Sequence, residues 1–213
     1  MKYQPELTCI LLWIEIIASI IALAFYSKTK KTYWIWFTFY LFVIAFSDNF
    51  IDDLVFFFNI KKQFFYAYIL IPIQFVFFYW LYALKSLGKK KLFWSCIILY
   101  TMSFIPIELY FSKLKVVYSF NYVIGTLLLM LLVFVEFRKQ IKNDDILEFS
   151  KNKMFYINIG VMLFYVGTLP FFGLYNLIAN EVDIWNIYYI YFLVSNCIMY
   201  LLFAASFIWG KPK

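Results

Sequence analysis

Apolar runs recur along the whole chain, separated by short polar segments in which lysine is prominent. A membrane-crossing helix needs about 20 consecutive apolar residues. On that measure the pattern predicts seven spans: Leu7–Tyr26, Tyr33 to beyond Asp48 and as far as Phe58, Phe64–Leu84, Leu92–Phe111, Val117–Phe137, Met154–Ile178 and Ile184–Trp209. The runs are continuous and too long for barrel strands, which alternate over about 10 residues. An all-α, polytopic transmembrane bundle of seven helices is therefore expected, forming one domain over residues 1–213 with no loop long enough for a second. The longest connection, 138–153, is expected to hold no more than a short interfacial helix.

The basic residues give this bundle an orientation. Short loops rich in Lys and Arg stay cytoplasmic. Four segments that alternate to one side hold fourteen of the 19 basic residues, from Lys28–Lys31, Lys85–Lys91, Arg138–Lys153 and Lys211–Lys213. The N-terminus is thus expected outside and the C-terminus in the cytoplasm of a multi-pass inner-membrane protein. Ala22-Leu23-Ala24 resembles a signal cleavage site. However, Glu15 interrupts the apolar stretch, and cleavage would strand three lysines on the wrong side.

Composition sharpens the class. Hydrophobic residues make up 65% of the chain and charged residues 15%. A soluble domain averages roughly 45–50% and 25%. A quarter of the chain is aromatic, and the residues at span ends (Tyr33, Trp34, Trp36, Trp94, Trp185, Trp209) read as interfacial belts. The net charge of +7 is topogenic and bears on anionic lipid heads. There is no His and a single Arg, Arg138. That removes His-ligated metals, haem and Ser-His-Asp catalysis, and it argues against nucleic-acid binding. No cofactor and no metal site are expected. The three cysteines lie at different predicted depths and imply no disulfide.

Ionisable groups inside a membrane mark function by default. Glu15 lies near mid-span, on one helical stripe with Thr8, Ser19 and Ala22. It reads equally as a hydrogen-bonded structural carboxyl or as a ligand site. Asp48 and Asp52 are spaced i, i+4, so they share a face and could take a cation or amine from outside. The plainer alternative is solvation at the outer mouth. Glu108 either completes an acidic vestibule with them or pairs with Lys113 or Lys115. Glu136 reads as an interfacial charge. The neutral residues Gln74, Thr101, Ser103, Thr126, Thr168, Ser195 and Asn196 fit interhelical hydrogen bonding. The sharper alternative is that Glu15, Gln74, Ser103 and Asn196 line a central cavity. Gly160 and Gly167 share a face and mark close helix packing. Pro72, Pro106 and Pro170 predict kinks.

The C-terminal half carries a resemblance. Phe155-Tyr156-Ile157-Asn158-Ile159-Gly160, Phe164-Tyr165-Val166-Gly167, Phe171-Phe172 and Asn176 precede Trp185, Asn196, Leu202, Ala205 and Ser206-Phe207-Ile208-Trp209. Over residues 154–210 this is similar to a group of small seven-span inner-membrane proteins of Bacteroidetes-type bacteria with no established activity. The resemblance implies that architecture and an association with sensory signalling. It also implies an acidic residue in the third span where this chain has Gln74.

Three functions compete. The leading expectation is a non-enzymatic sensory or signalling accessory bundle. It would bind a small or lipidic ligand from the outer side through Glu15, Asp48, Asp52, Gln74, Glu108 and Asn196, with a cytoplasmic or membrane partner reading the 138–153 loop. The second is a transporter or ion-conducting protein, including a defence-system membrane effector, that uses Glu15 and Asp48. The third is a lipid-acting enzyme with Asp48, Asp52 and Glu108 as acid, base or metal ligands.

Overall fold

A computed structural model describes residues 4–105, 117–143, 148–173 and 181–211. The described chain is helical: α1 Gln4–Ala24, α2 Trp34–Asn49, α3 Ile51–Phe58, α4 Lys62–Ser86, α5 Lys90–Met102, α6 Val117–Lys142, α7 Lys153–Gly173 and α8 Val182–Trp209. Among the described residues no strand forms, and the sole bridge joins Asn152 to Lys211. Five helices, Gln4–Ala24, Lys62–Ser86, Phe120–Lys142, Lys153–Phe171 and Asp183–Trp209, are long and apolar enough to cross a membrane. The chain is thus built as a multi-pass membrane protein. A lipid core offers backbone groups no water to bond, so each crossing segment must satisfy its own, as a helix does.

The second predicted span is interrupted. α2 stops after 16 residues, and Phe50 leaves helical geometry at φ −109°, ψ 20°. α3 then runs off in a short second piece that ends in left-handed Asn59, φ 51°. Phe56 and Phe57 on it are 89% and 81% exposed. The Pro106 kink, with most of the connection after α5, lies outside the described residues.

α4 links the aromatic core. Phe75, Phe78, Tyr79, Leu81 and Tyr82 are fully buried. Its rings reach five other helices: Phe77 stacks on Tyr40 of α2 at 4.2 Å, and Phe75 meets Tyr100 of α5, Tyr122 of α6 and Tyr165 of α7. Phe78 meets Phe203 of α8. Offset-stacked and edge-to-face pairs each add about 0.5–1.5 kcal/mol beyond area burial. Such pairing counts in a membrane, where lipid competes equally for any apolar side chain. The helix widens into π turns at Tyr66–Leu70 and Trp80–Ser86. The first ends two residues before Pro72, which has no N–H to donate and whose ring crowds the preceding turn. A wider turn relieves that conflict without breaking the helix.

Two glycines explain how closely the helices approach. At Gly125 on α6 an added Cβ would sit 2.6 Å from the Phe75 ring, and the Gly125 carbonyl accepts a hydrogen bond from Tyr79 Oη at 2.8 Å. At Gly160 on α7 a Cβ would meet the Met199 backbone of α8 at 3.3 Å.

The bundle has one basic end. Lys139 Nζ donates to the Ser86 carbonyl at 2.6 Å. Lys85 lies over Trp80 and Tyr33, Lys153 lies over Trp34 and Phe207, and the Lys211 N–H donates to the Lys151 carbonyl. At the opposite end Gln4 of α1 bonds Asn186 of α8, and Lys62 pairs with Asp52.

Candidate functional site

Glu15 falls about three turns into α1, on the face that carries Leu11, Ala18, Ser19 and Ala22 inward. It is 1% exposed, and neither carboxyl oxygen has a hydrogen-bond partner. One turn on, Ser19 Oγ donates to the Glu15 carbonyl at 2.9 Å and lies 3.0 Å from the Leu41 carbonyl of α2. This contact pins α1 against α2 just below the acid. Because the two helices run antiparallel, the last turn of α2 then lies beside Glu15 on the side away from the basic end. Asp48 occupies that turn, within electrostatic reach of Glu15.

Asp48 is half-buried and accepts a hydrogen bond from Tyr66 Oη of α4 at 2.8 Å. Asp52 stands further out on α3, with its side chain 87% exposed, and pairs with Lys62 at 3.2 Å. An ion pair so exposed is worth at most about 1 kcal/mol. The three acids therefore form a graded series: Asp52 in the open, Asp48 half-covered, Glu15 enclosed. Tyr40 of α2 and Tyr200 of α8 are both buried and within electrostatic reach of both inner acids.

Asn196 lies on the same face of α8 as Tyr200, one turn away, and its Oδ1 is buried without a partner. Its chain neighbour Cys197 is in electrostatic reach of Glu15. Gln74 is half-buried on α4, a turn from Phe77 and Phe78, and no interaction among the described residues ties it to the acids. Glu108 lies outside the described residues. Among those described, no group of three or more His, Cys, Asp or Glu is set to hold a metal.

What converges is a polar cluster of two carboxylates and phenol groups, with an amide oxygen close by, contributed by α1, α2, α4 and α8. Two carboxylates in electrostatic reach repel each other, and the enclosed Glu15 also loses its hydration. The arrangement calls for a positive partner: a cation, an ammonium group or a proton.

The neutral polar residues divide. Ser19 and Thr168 link helices, Thr168 by a 3.1 Å contact with Tyr122 of α6. Thr101, Ser103 and Ser195 bond to carbonyls of their own helices, and Thr126 is buried one turn from Tyr122, with which it interacts.

A second polar group appears near the basic end. Glu136 was expected at an interface but is 2% exposed. The reason is that Leu129, Leu132, Val133, Glu136 and Gln140 form the inward stripe of α6, and all of them are buried. Gln140 Nε2 donates to Glu136 Oε1 at 3.2 Å, while Glu136 Oε2, Gln140 Oε1, Tyr82 Oη and both polar atoms of Asn158 have no hydrogen-bond partner. Trp34 was expected in an interfacial belt but is 2% exposed, beneath Lys153. The spacing of the α6 stripe was readable in the sequence. The roles of Tyr40, Tyr66 and Tyr200 were not, because they depend on contacts between helices distant in sequence.

No protein family, curated protein or solved structure matches the chain. The class therefore rests on fold and site: a multi-pass helical membrane protein with a buried acidic site.

Proposed function

We propose that this protein is a seven-span inner-membrane bundle of bacterial origin, with its N-terminus outside and its C-terminus in the cytoplasm. It binds a small amine or other cationic ligand from the outer side and signals the occupied state to a partner at the cytoplasmic end. The observation that carries this reading is Glu15, an enclosed carboxyl with both oxygens unpartnered, set beside Asp48. The graded acids from Asp52 to Asp48 to Glu15 support entry from that side. The layer of Phe37, Tyr40, Phe77 and Phe203 between them and the basic end supports a closed floor beneath the ligand.

The test uses full-length protein in nanodiscs, with spermidine, tetramethylammonium and sodium as probes and thermal unfolding as the readout. At least one probe should raise Tm by several degrees, and Glu15→Gln and Asp48→Asn should each remove most of that rise while leaving the unliganded Tm near wild type. An identical response from wild type and the double variant would refute the site.

A second reading, transport of a cation or proton, draws support from Glu136, a second buried carboxylate on the far side of the aromatic layer. It predicts flux in proteoliposomes that falls at least tenfold in Glu15→Gln. Flux indifferent to both acids removes it.

A further inference from the structure

Lys153 opens α7 at the basic end and is almost wholly enclosed, 3% exposed. Its ammonium rests over the Phe207 ring at 4.4 Å and the Trp34 ring at 5.2 Å. No carboxylate lies within ion-pair distance of it among the described residues; the three pairs present there join Lys62, Lys139 and Lys151 to other acids. The charged group that acts on it is another cation, Lys28, from the turn between α1 and α2. Trp34 is 2% exposed, and its indole Nε1–H has no acceptor.

The Lys153 ammonium and an orphaned N–H donor therefore meet at one corner, formed by the start of α2, the start of α7 and the end of α8, with the exposed Lys28 of the α1–α2 turn, its ammonium over the Phe25 ring, within electrostatic reach. Aromatic faces stabilise an ammonium but do not neutralise it. An enclosed cation with a second cation in reach is stabilised by an anion beside it. The C-terminal segment closes the corner from behind: the Lys211 N–H donates to the Lys151 carbonyl at 2.8 Å, and Gly210 passes so close to Lys153 that an added Cβ would lie 2.9 Å from its Cα.

We propose that this corner binds the phosphate group of an anionic lipid headgroup, with Lys153 and Lys28 supplying charge and Trp34 Nε1–H a hydrogen bond. A tetrahedral phosphate offers several acceptor oxygens, so it can serve donors that approach from different helices. A soluble phosphate ester shares this chemistry. The lipid is favoured because the corner lies at the ends of membrane-length helices, where headgroups are concentrated.

The experiment compares full-length protein in phosphatidylcholine nanodiscs with and without phosphatidylglycerol. It measures Tm and, by native mass spectrometry, the phosphatidylglycerol retained. Wild type should gain several degrees from the anionic lipid and retain one tightly held molecule. Trp34→Phe keeps a ring beneath Lys153 and removes the N–H donor; Lys153→Arg keeps the charge. The first should lose at least half of the gain, and the second should keep most of it. Lys153→Gln should abolish both the gain and the retained lipid. Inorganic phosphate or glycerol phosphate reproducing the gain in phosphatidylcholine discs would assign the corner to a soluble phosphate ester with the same three donors. An equal gain in wild type, Trp34→Phe and Lys153→Gln would trace the effect to general surface charge and overturn the proposal, as would no gain at all.

Discussion

The Glu15 carboxyl adds no hydrogen bond to the fold, and that makes it an informative residue. A buried carboxyl without a hydrogen-bond partner loses its hydration and recovers little from its surroundings. Its neighbours show that the surrounding wall is not short of polar groups: Ser19 spends its hydroxyl on backbone carbonyls, and Tyr66 donates to Asp48. The consequence can be measured. Ser19→Ala removes the contact that links α1 to α2 and should lower stability by about 0.6–2 kcal/mol, with ligand response retained. Tyr66→Phe leaves Asp48 without its donor. It should destabilise by about 1–3 kcal/mol and, unlike Ser19→Ala, alter the response to an amine probe. Unfolding curves with and without the probe separate the two effects. Equal probe response in Tyr66→Phe and wild type would place Tyr66 outside the site.

At the scale of elements, α4 joins the aromatic core through the rings on its inward face. That makes Gly125 sensitive. A methyl group there meets the Phe75 ring at 2.6 Å, and Phe75 has no free direction because Tyr100, Tyr122 and Tyr165 surround it. Gly125→Ala should therefore cost about 1–3 kcal/mol by overpacking, whereas Gly88→Ala, which meets nothing within 4 Å, is strained only by its positive φ of 66°. Denaturation midpoints of the two variants test this contrast. The elements themselves were largely readable from hydrophobic run length: α1, α4, α6, α7 and α8 lie where the pattern predicts them, with ends shifted by a few residues. What the pattern could not show was the break at Phe50. The segment Ser47-Asp48-Asn49-Phe50-Ile51-Asp52-Asp53 is polar but holds no Gly or Pro to mark a break, and it turns where Asp52 and Asp53 reach an exposed position. The linking role of α4 was equally hidden. Its apolar residues read the same whether they face lipid or protein, so hydropathy alone cannot orient them.

The whole molecule is divided by charge into two ends, and that division can be tested without any ligand. Lys61 and Lys62 begin α4 at the acidic end, while Lys89, Lys90 and Lys91 begin α5 after α4 has crossed the bundle. If α4 crosses the membrane as its length and composition allow, a probe at residue 61 and one at residue 90 must lie on opposite sides. In a variant lacking Cys9, Cys96 and Cys197, Lys61→Cys should react with a membrane-impermeant maleimide in intact cells. Lys90→Cys should react only after permeabilisation, as the lysine bias predicts. The same experiment addresses the helices that the length criterion leaves open. With α2 and α3 taken together as one crossing, a cysteine at Lys30 must share the protected side with Lys90. The contacts of Tyr33 with Lys85 at one end and of Asp52 with Lys62 at the other require that result, so Lys30 labelling from outside with Lys61 would contradict the packing itself. The first pattern gives the acids of α1 and α2 a common outer mouth and keeps the Lys28–Lys153 corner in the inner leaflet. The second would pull Tyr33 and Trp34 away from Lys85 and Lys153, and with them the common outer mouth on which the amine site is proposed.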